Sequence, residues 1–170
     1  MNIVLTGFMC TGKTSVGKLL AKKLSYQFVD TDDLIEERVG MKISQIFANY
    51  GEPYFRDIES EVVKEVSQKD NLVISTGGGV VLRKTNMDEL RKNGIIINLT
   101  AKPQTIFNRL KNQPGIRPLL NKPDPLKEII NLLSQSEEYY KNCDLRIETD
   151  NISVEEVVEQ ILNFIKKRWS

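Results

Sequence analysis

The chain has 170 residues, enough for one domain with a real core, and its 40% hydrophobic and 28% charged content is ordinary for a globular protein. A net charge of +1 gives no general field for nucleic acid or an anionic membrane, so neither is expected as a partner. No histidine is present, which excludes histidine general bases, histidine-containing triads and the usual histidine-bearing zinc sites.

Residues 2–6, NIVLT, read as a buried strand, with no basic region or long apolar core before it. With only Cys10 and Cys143 there is no disulfide framework. A cytoplasmic protein without a membrane span is expected. Directly after the strand comes GFMCTGKTS, residues 7–15, a match to G-x-x-x-x-G-K-[ST]. Glycines at Gly7 and Gly12 let successive amides face phosphate oxygens, Lys13 supplies a point charge, and Thr14 offers a hydroxyl to magnesium. A helix over residues 14–24 would add its positive dipole end. The flanking strand and amphipathic helix favour this reading over a chance turn. Cys10 reads as a small loop residue rather than a reactive thiol.

A second strand, residues 27–29, leads into VDTDDLIEE, with Asp30, Asp32 and Asp33 at the strand end. One carboxylate here could reach magnesium and another could take a hydroxyl proton; helix capping is the alternative. Helical material from 31 to about 61 is a long excursion before the next strand. Within it GEPYFRDIES sets Arg56 beside Phe55, with Glu59 three residues on, a braced fork for a carboxylate or phosphate. A surface ion pair at helical spacing is the plainer reading. A helix is expected over 58–67 and a strand over 72–75, ending in STGGG, where Gly77, Gly78 and Gly79 free the backbone for a ligand.

The strand at 95–99 and a helix at 105–111 precede NQPGIRPLLNKPDP, residues 112–125, which holds four of the six prolines and reads as a loop. Its NKPD resembles a guanine-reading signature, but it follows a proline-rich loop instead of a buried strand. A strand at 145–148 and a core-facing helix at 154–165 complete an alternating pattern. That pattern predicts an α/β fold with a parallel sheet covered on both faces.

In order and spacing, GFMCTGKTS, the DTD of 30–32, GEPYFR with Glu59, STGGG with Arg83 nearby, and IRPLL at 116–120 resemble the shikimate kinase family. The resemblance covers essentially the whole chain. It implies a P-loop fold of nucleoside monophosphate kinase type. The expected unit is one domain over 1–170 with a five-stranded parallel sheet flanked by helices, a substrate-binding insertion at about 31–61 and a lid at about 112–125. It implies ATP and Mg2+, transfer of the γ-phosphoryl group to the 3-hydroxyl of shikimate, and a monomer. Cys10, Thr11, Gly12, Lys13, Thr14 and Ser15 would hold the nucleotide, with Arg109 by the adenine and Arg117 swinging in on the lid. Thr14 and Asp30 would hold magnesium. Asp32 would contact the acceptor hydroxyl, Arg56 its carboxylate, and Gly77, Gly78 and Gly79 would line its pocket, with Gly78 offering an amide.

One feature departs from the pattern. The family usually carries an arginine about four residues before a tyrosine, and alignment on Tyr139 sets Gln135 in its place. Glutamine cannot form a charged bidentate fork, a loss of about 1.5–3 kcal/mol of binding. Weaker affinity, compensation by Arg83, or a different polyol acid each fit. A nucleoside monophosphate kinase-like enzyme and a nucleotide-binding module with weakened catalysis are the competing functional readings.

Overall fold

The structure, a computed structural model, describes residues 1–113 and 118–169. Five strands form one sheet: β1 (Asn2–Thr6), β2 (Gln27–Asp30), β3 (Leu72–Ser75), β4 (Gly94–Thr100) and β5 (Leu145–Glu148). All neighbours pair in parallel in the order β2-β3-β1-β4-β5. The helices are α1 (Lys13–Leu24), α2 (Thr31–Val39), α3 (Ile43–Tyr50), α4 (Glu52–Ser67), α5 (Lys84–Lys92), α6 (Pro103–Lys111), α7 (Pro125–Tyr140) and α8 (Val154–Trp169). Short 3-10 turns cover Val80–Leu82 and Pro118–Asn121.

Strand side chains alternate between faces, and here each face feeds its own core. Ile3 and Leu5 of β1, Val73 of β3 and Ile95, Ile97 and Leu99 of β4 pack with Val16 and Leu20 of α1 and Val158 and Ile161 of α8. The residues between them, Val4, Ile74 and Ile96, pack on the opposite side with Val63 and Val66 of α4, Met87 of α5, Ile106 of α6 and Ile129 of α7. Burial on both faces explains why these strands are apolar throughout. A third, smaller core joins Ile35, Ile46, Phe55 and Val62 within the excursion between β2 and β3.

α4 begins at Glu52, ahead of the expected residue 58. Gly51 at φ 85° and Pro53 in the first turn set that start, since proline there loses no hydrogen bond the helix needs. The NKPD segment ends by capping α7: the Lys127 amide donates to the Asp124 carboxylate at 3.2 Å. No helix among the described residues is long and apolar enough to cross a membrane.

In a parallel sheet all strands finish at the same edge. β1 therefore ends at the glycine-lysine loop, β2 at Asp30 and β3 at Ser75, with Asp30 and Ser75 paired in register. The strand order reverses beside β1, and crevices in such sheets open there.

Candidate active site

The loop after β1 is built for close backbone approach. Gly7 has φ 147°, and a side chain there would collide with the Leu99 carbonyl. Gly12 has φ 99° and precedes α1, whose N-terminal amides face the loop. Thr11 donates to the Phe8 carbonyl at 2.8 Å and braces the turn. The Lys13 ammonium donates to the carbonyls of Gly7 at 2.6 Å and Phe8 at 3.0 Å. Desolvation lowers its pKa to about 8, against the pull of Asp32 and Asp30. A desolvated cation held by neutral carbonyls suits a polyphosphate.

A cavity of about 590 Å³ runs from this loop across the strand ends, lined by Lys13, Thr14, Ser15, Asp30, Asp32, Arg56 and the three glycines Gly77, Gly78 and Gly79. Asp30 caps α2, accepting from the amides of Asp32 at 2.8 Å and Asp33 at 3.3 Å, both on Oδ1. Capping and a role in the cavity thus fall on one residue, with Oδ2 left over. Burial pushes the Asp32 carboxyl up to about 6, the charges of Asp30 and Glu59 adding to the shift and Lys13 opposing it. The strand ends are tied together where the Gly77 amide donates to Thr31 Oγ1 at 2.9 Å.

Arg56 lies in the first half of α4, its guanidinium donating to Glu59 at 2.9 Å. Glu59 is fully buried, and burial raises its pKa while Arg56 opposes the rise. The Arg56 guanidinium also sits 5.2 Å from the centre of the Phe55 ring. Its Nε is buried without a hydrogen-bond partner among the described residues, and Glu52 stands 3.5 Å away without closing one. A buried donor left open is what an anionic ligand group satisfies.

On the other side of the loop a second cavity of about 470 Å³ is lined by Thr11, Ser15, Val16, Arg109, Ile152 and Val157 among others. Arg109 donates to the carbonyls of Cys10 at 2.9 Å and Thr149 at 2.7 Å, which fixes it as the polar edge of an apolar slot. The two cavities thus meet at the phosphate loop, sharing Cys10, Gly12 and Ser15.

Arg117 lies outside the described residues, as does part of the expected lid. Gln135 does not reach the cavity. It is exposed, and Ser136, one position on, lines the wall instead. Leu132, Ser136 and Tyr140 stand four residues apart on the inner face of α7, and a shift of one residue turns a helical side chain about 100° away. The tyrosine that belongs to the site is Tyr140, buried and donating to the Gly78 carbonyl at 2.9 Å, whereas Tyr139 is exposed. The four-residue spacing was the signal that could have found Ser136 and Tyr140. Arg83 does not line the cavity either. It reaches the Arg56 carbonyl at 3.2 Å, Asp57 at 3.0 Å and Ser60 at 3.1 Å, outside bonds that brace α4.

Known proteins resemble this chain over nearly its full length. The shikimate kinase family model matches residues 9–166. A curated shikimate kinase from Thermodesulfovibrio yellowstonii is 52% identical over 161 residues, covering 95% of this chain and 92% of that one. The crystal structure of a shikimate kinase from Bacteroides thetaiotaomicron superposes with a TM-score of 0.90 at 31% identity, over 98% of each chain. A shikimate kinase from Acinetobacter baumannii, solved in complex with shikimate, gives 0.90 at 33% identity, covering 98% of this chain and 93% of that one. With a five-stranded parallel sheet, a phosphate loop after its first strand and likeness over nearly its full length, the chain belongs to the shikimate kinase family.

Proposed function

We propose that the protein transfers the γ-phosphoryl group of ATP to the 3-hydroxyl of shikimate. One observation carries the reading to this chain: the phosphate loop, the Asp32 carboxylate and the Arg56 guanidinium line a single cavity. The acceptor's carboxylate pairs with Arg56, whose Nε is open, and its 3-hydroxyl meets Asp32. The hydroxyl oxygen attacks the γ-phosphorus, the bond from that phosphorus to the bridging oxygen breaks, ADP leaves, and Asp32 takes the proton. Lys13 offsets charge on the β- and γ-phosphates, and the chemistry needs alignment and charge neutralisation rather than a covalent intermediate.

Thr14 and Asp30 suit Mg2+, since a hydroxyl and a spare carboxylate oxygen are hard donors beside the loop. When bound, the ion neutralises phosphate charge. Cys10 to Ser15 and Arg109 form the nucleotide side, and Gly77 to Gly79 the acceptor wall. Arg117, on a lid at about 112–125, is assigned by the family pattern to the transferred phosphate. A single domain, a monomer and a cytoplasmic location complete the reading; light scattering on the purified chain checks the monomer.

A coupled ADP-release assay tests the function. Shikimate-dependent turnover that stops on chelation of Mg2+ is the expected result, and a rate no higher than the shikimate-free rate overturns it. AMP, CMP and UMP in the same assay address the nucleoside monophosphate kinase reading, which needs more than the one arginine that lines the acceptor end among the described residues.

A further inference from the structure

Gly77, Gly78 and Gly79 follow β3 without interruption, yet none has positive φ, so backbone conformation does not require glycine at any of them. Space does, and it differs from one to the next. A Cβ on Gly77 would stand 2.5 Å from Asp32 Oδ1 and 3.1 Å from its Cγ. On Gly79 it would stand 2.5 Å from the central carbon of the Arg56 guanidinium and 2.6 Å from one terminal nitrogen. On Gly78 the nearest atom would be the Tyr140 hydroxyl at 3.7 Å, an ordinary contact.

The geometry points to a division of labour: Gly77 is a positioning residue for Asp32 and Gly79 a positioning residue for Arg56. Each acts through the volume it leaves empty, and Gly78 has no such part. The inference rests on the proposed function for its kinetic consequences, but not for its geometry.

In both cases the group in the way is the far end of a flexible side chain, not backbone. A methyl group can be accommodated by swinging that end aside, so the fold survives and the functional group moves. For Arg56 the swing breaks its bond to Glu59, the contact that orients the fork. For Asp32 no bond to the carboxylate from the described residues holds it in place against the push, while the Asp32 amide stays anchored on Asp30. Restoring ordinary carbon contact distances requires a displacement of about 1 Å. A misplacement of that size costs about 10²-fold in rate at a reacting group.

Two kinds of measurement test the assignment. Crystal structures of Gly77→Ala and Gly79→Ala should show, respectively, the Asp32 carboxylate and the Arg56 guanidinium displaced by about 1 Å with the loop backbone unchanged. Side chains left where they are now overturn it, whatever the acceptor proves to be. Kinetically, Gly77→Ala should lower kcat by about 10²-fold with the ATP KM unaltered. Gly79→Ala should raise the shikimate KM by about 10-fold with a smaller change in kcat. In an Arg56→Ala background Gly79→Ala should add nothing, because the group it displaces is gone; likewise Gly77→Ala on residual turnover in an Asp32→Ala background. Multiplicative losses in those double variants would mean that the methyl groups strike the substrate directly, and would overturn the inference. Wild-type enzyme without shikimate turnover, beside displaced side chains in the crystals, would instead refute the proposed function and leave the geometry standing.

Discussion

In the proposed reaction Asp32 takes the proton, and the charges of three other carboxylates, Asp30, Glu59 and Glu36, act on it, with Lys13 as a counter-charge. Asp32→Asn keeps the shape and removes the proton acceptor, so kcat should fall by about 10²–10⁴-fold. The ATP KM should hold within about twofold, since Asp32 is not a loop residue; steady-state kinetics with each substrate varied checks both. Ser136 offers the converse test. Ser136→Arg adds a second arginine to the cavity wall and should lower the KM for shikimate by about 10-fold, whereas Gln135→Arg, on the exposed side of α7, should leave it unchanged. The two adjacent tyrosines explain why the sequence could not separate these positions. Tyr139 and Tyr140 give two registers one residue apart, and only burial against the glycine loop distinguishes them. Asp30, Asp32, Arg56 and the phosphate loop were legible because each sits at a strand end or beside a diagnostic neighbour. Thr31 was not, since its hydroxyl takes its meaning from the Gly77 amide, 46 positions away.

At the scale of elements, α7 is the wall that holds the glycine loop, and Tyr140 is its attachment point. Burial pushes the Tyr140 phenol up to about 12, above the ordinary value near 10. Between those values the folded chain keeps a proton that the unfolded chain releases. The corresponding stability is whole below about pH 10 and is lost as pH rises towards 12, about 2–3 kcal/mol at most. Tyr140→Phe removes the hydrogen bond to Gly78, which should cost about 1 kcal/mol at pH 8. It also removes the titration, so the wild-type advantage should vanish or reverse by pH 11.5. Urea denaturation of both proteins at the two pH values provides the comparison. The strands and α1 were readable from their apolar runs and glycine-lysine signature. α7 was obscured at its entrance by four prolines, and the start of α4 was set at residue 58 although Pro53 belongs to the first helical turn.

Among the described residues the buried apolar side chains fall into three cores, and the smallest belongs to the excursion that carries Arg56. Fewer buried contacts predict lower local stability there. Amides of α2 and α3 should exchange with deuterium sooner than those of β1 and β4. Shikimate with ADP should slow exchange in the excursion more than in the sheet, and uniform protection would contradict this picture. The parallel sheet itself was foreseeable, because strands alternating with helices leave few other solutions. The strand order β2-β3-β1-β4-β5 was not, since no local pattern says which strand neighbours which.

The alternation of Ile3, Val4 and Leu5 along β1 has an effect on how the protein tolerates change. These consecutive residues serve two chemically similar but mutually invisible interiors, with the backbone of the strand as the partition. A substitution at Ile3 is sensed by α1 and α8, and one at Val4 by α4 and α5. Substitutions on opposite sides more than about 7–10 Å apart should therefore add, while those of two touching residues on one side should interfere. Sequence change on one side of the sheet should therefore be tolerated largely independently of the other, and the cavity at the strand ends is where the two sides meet.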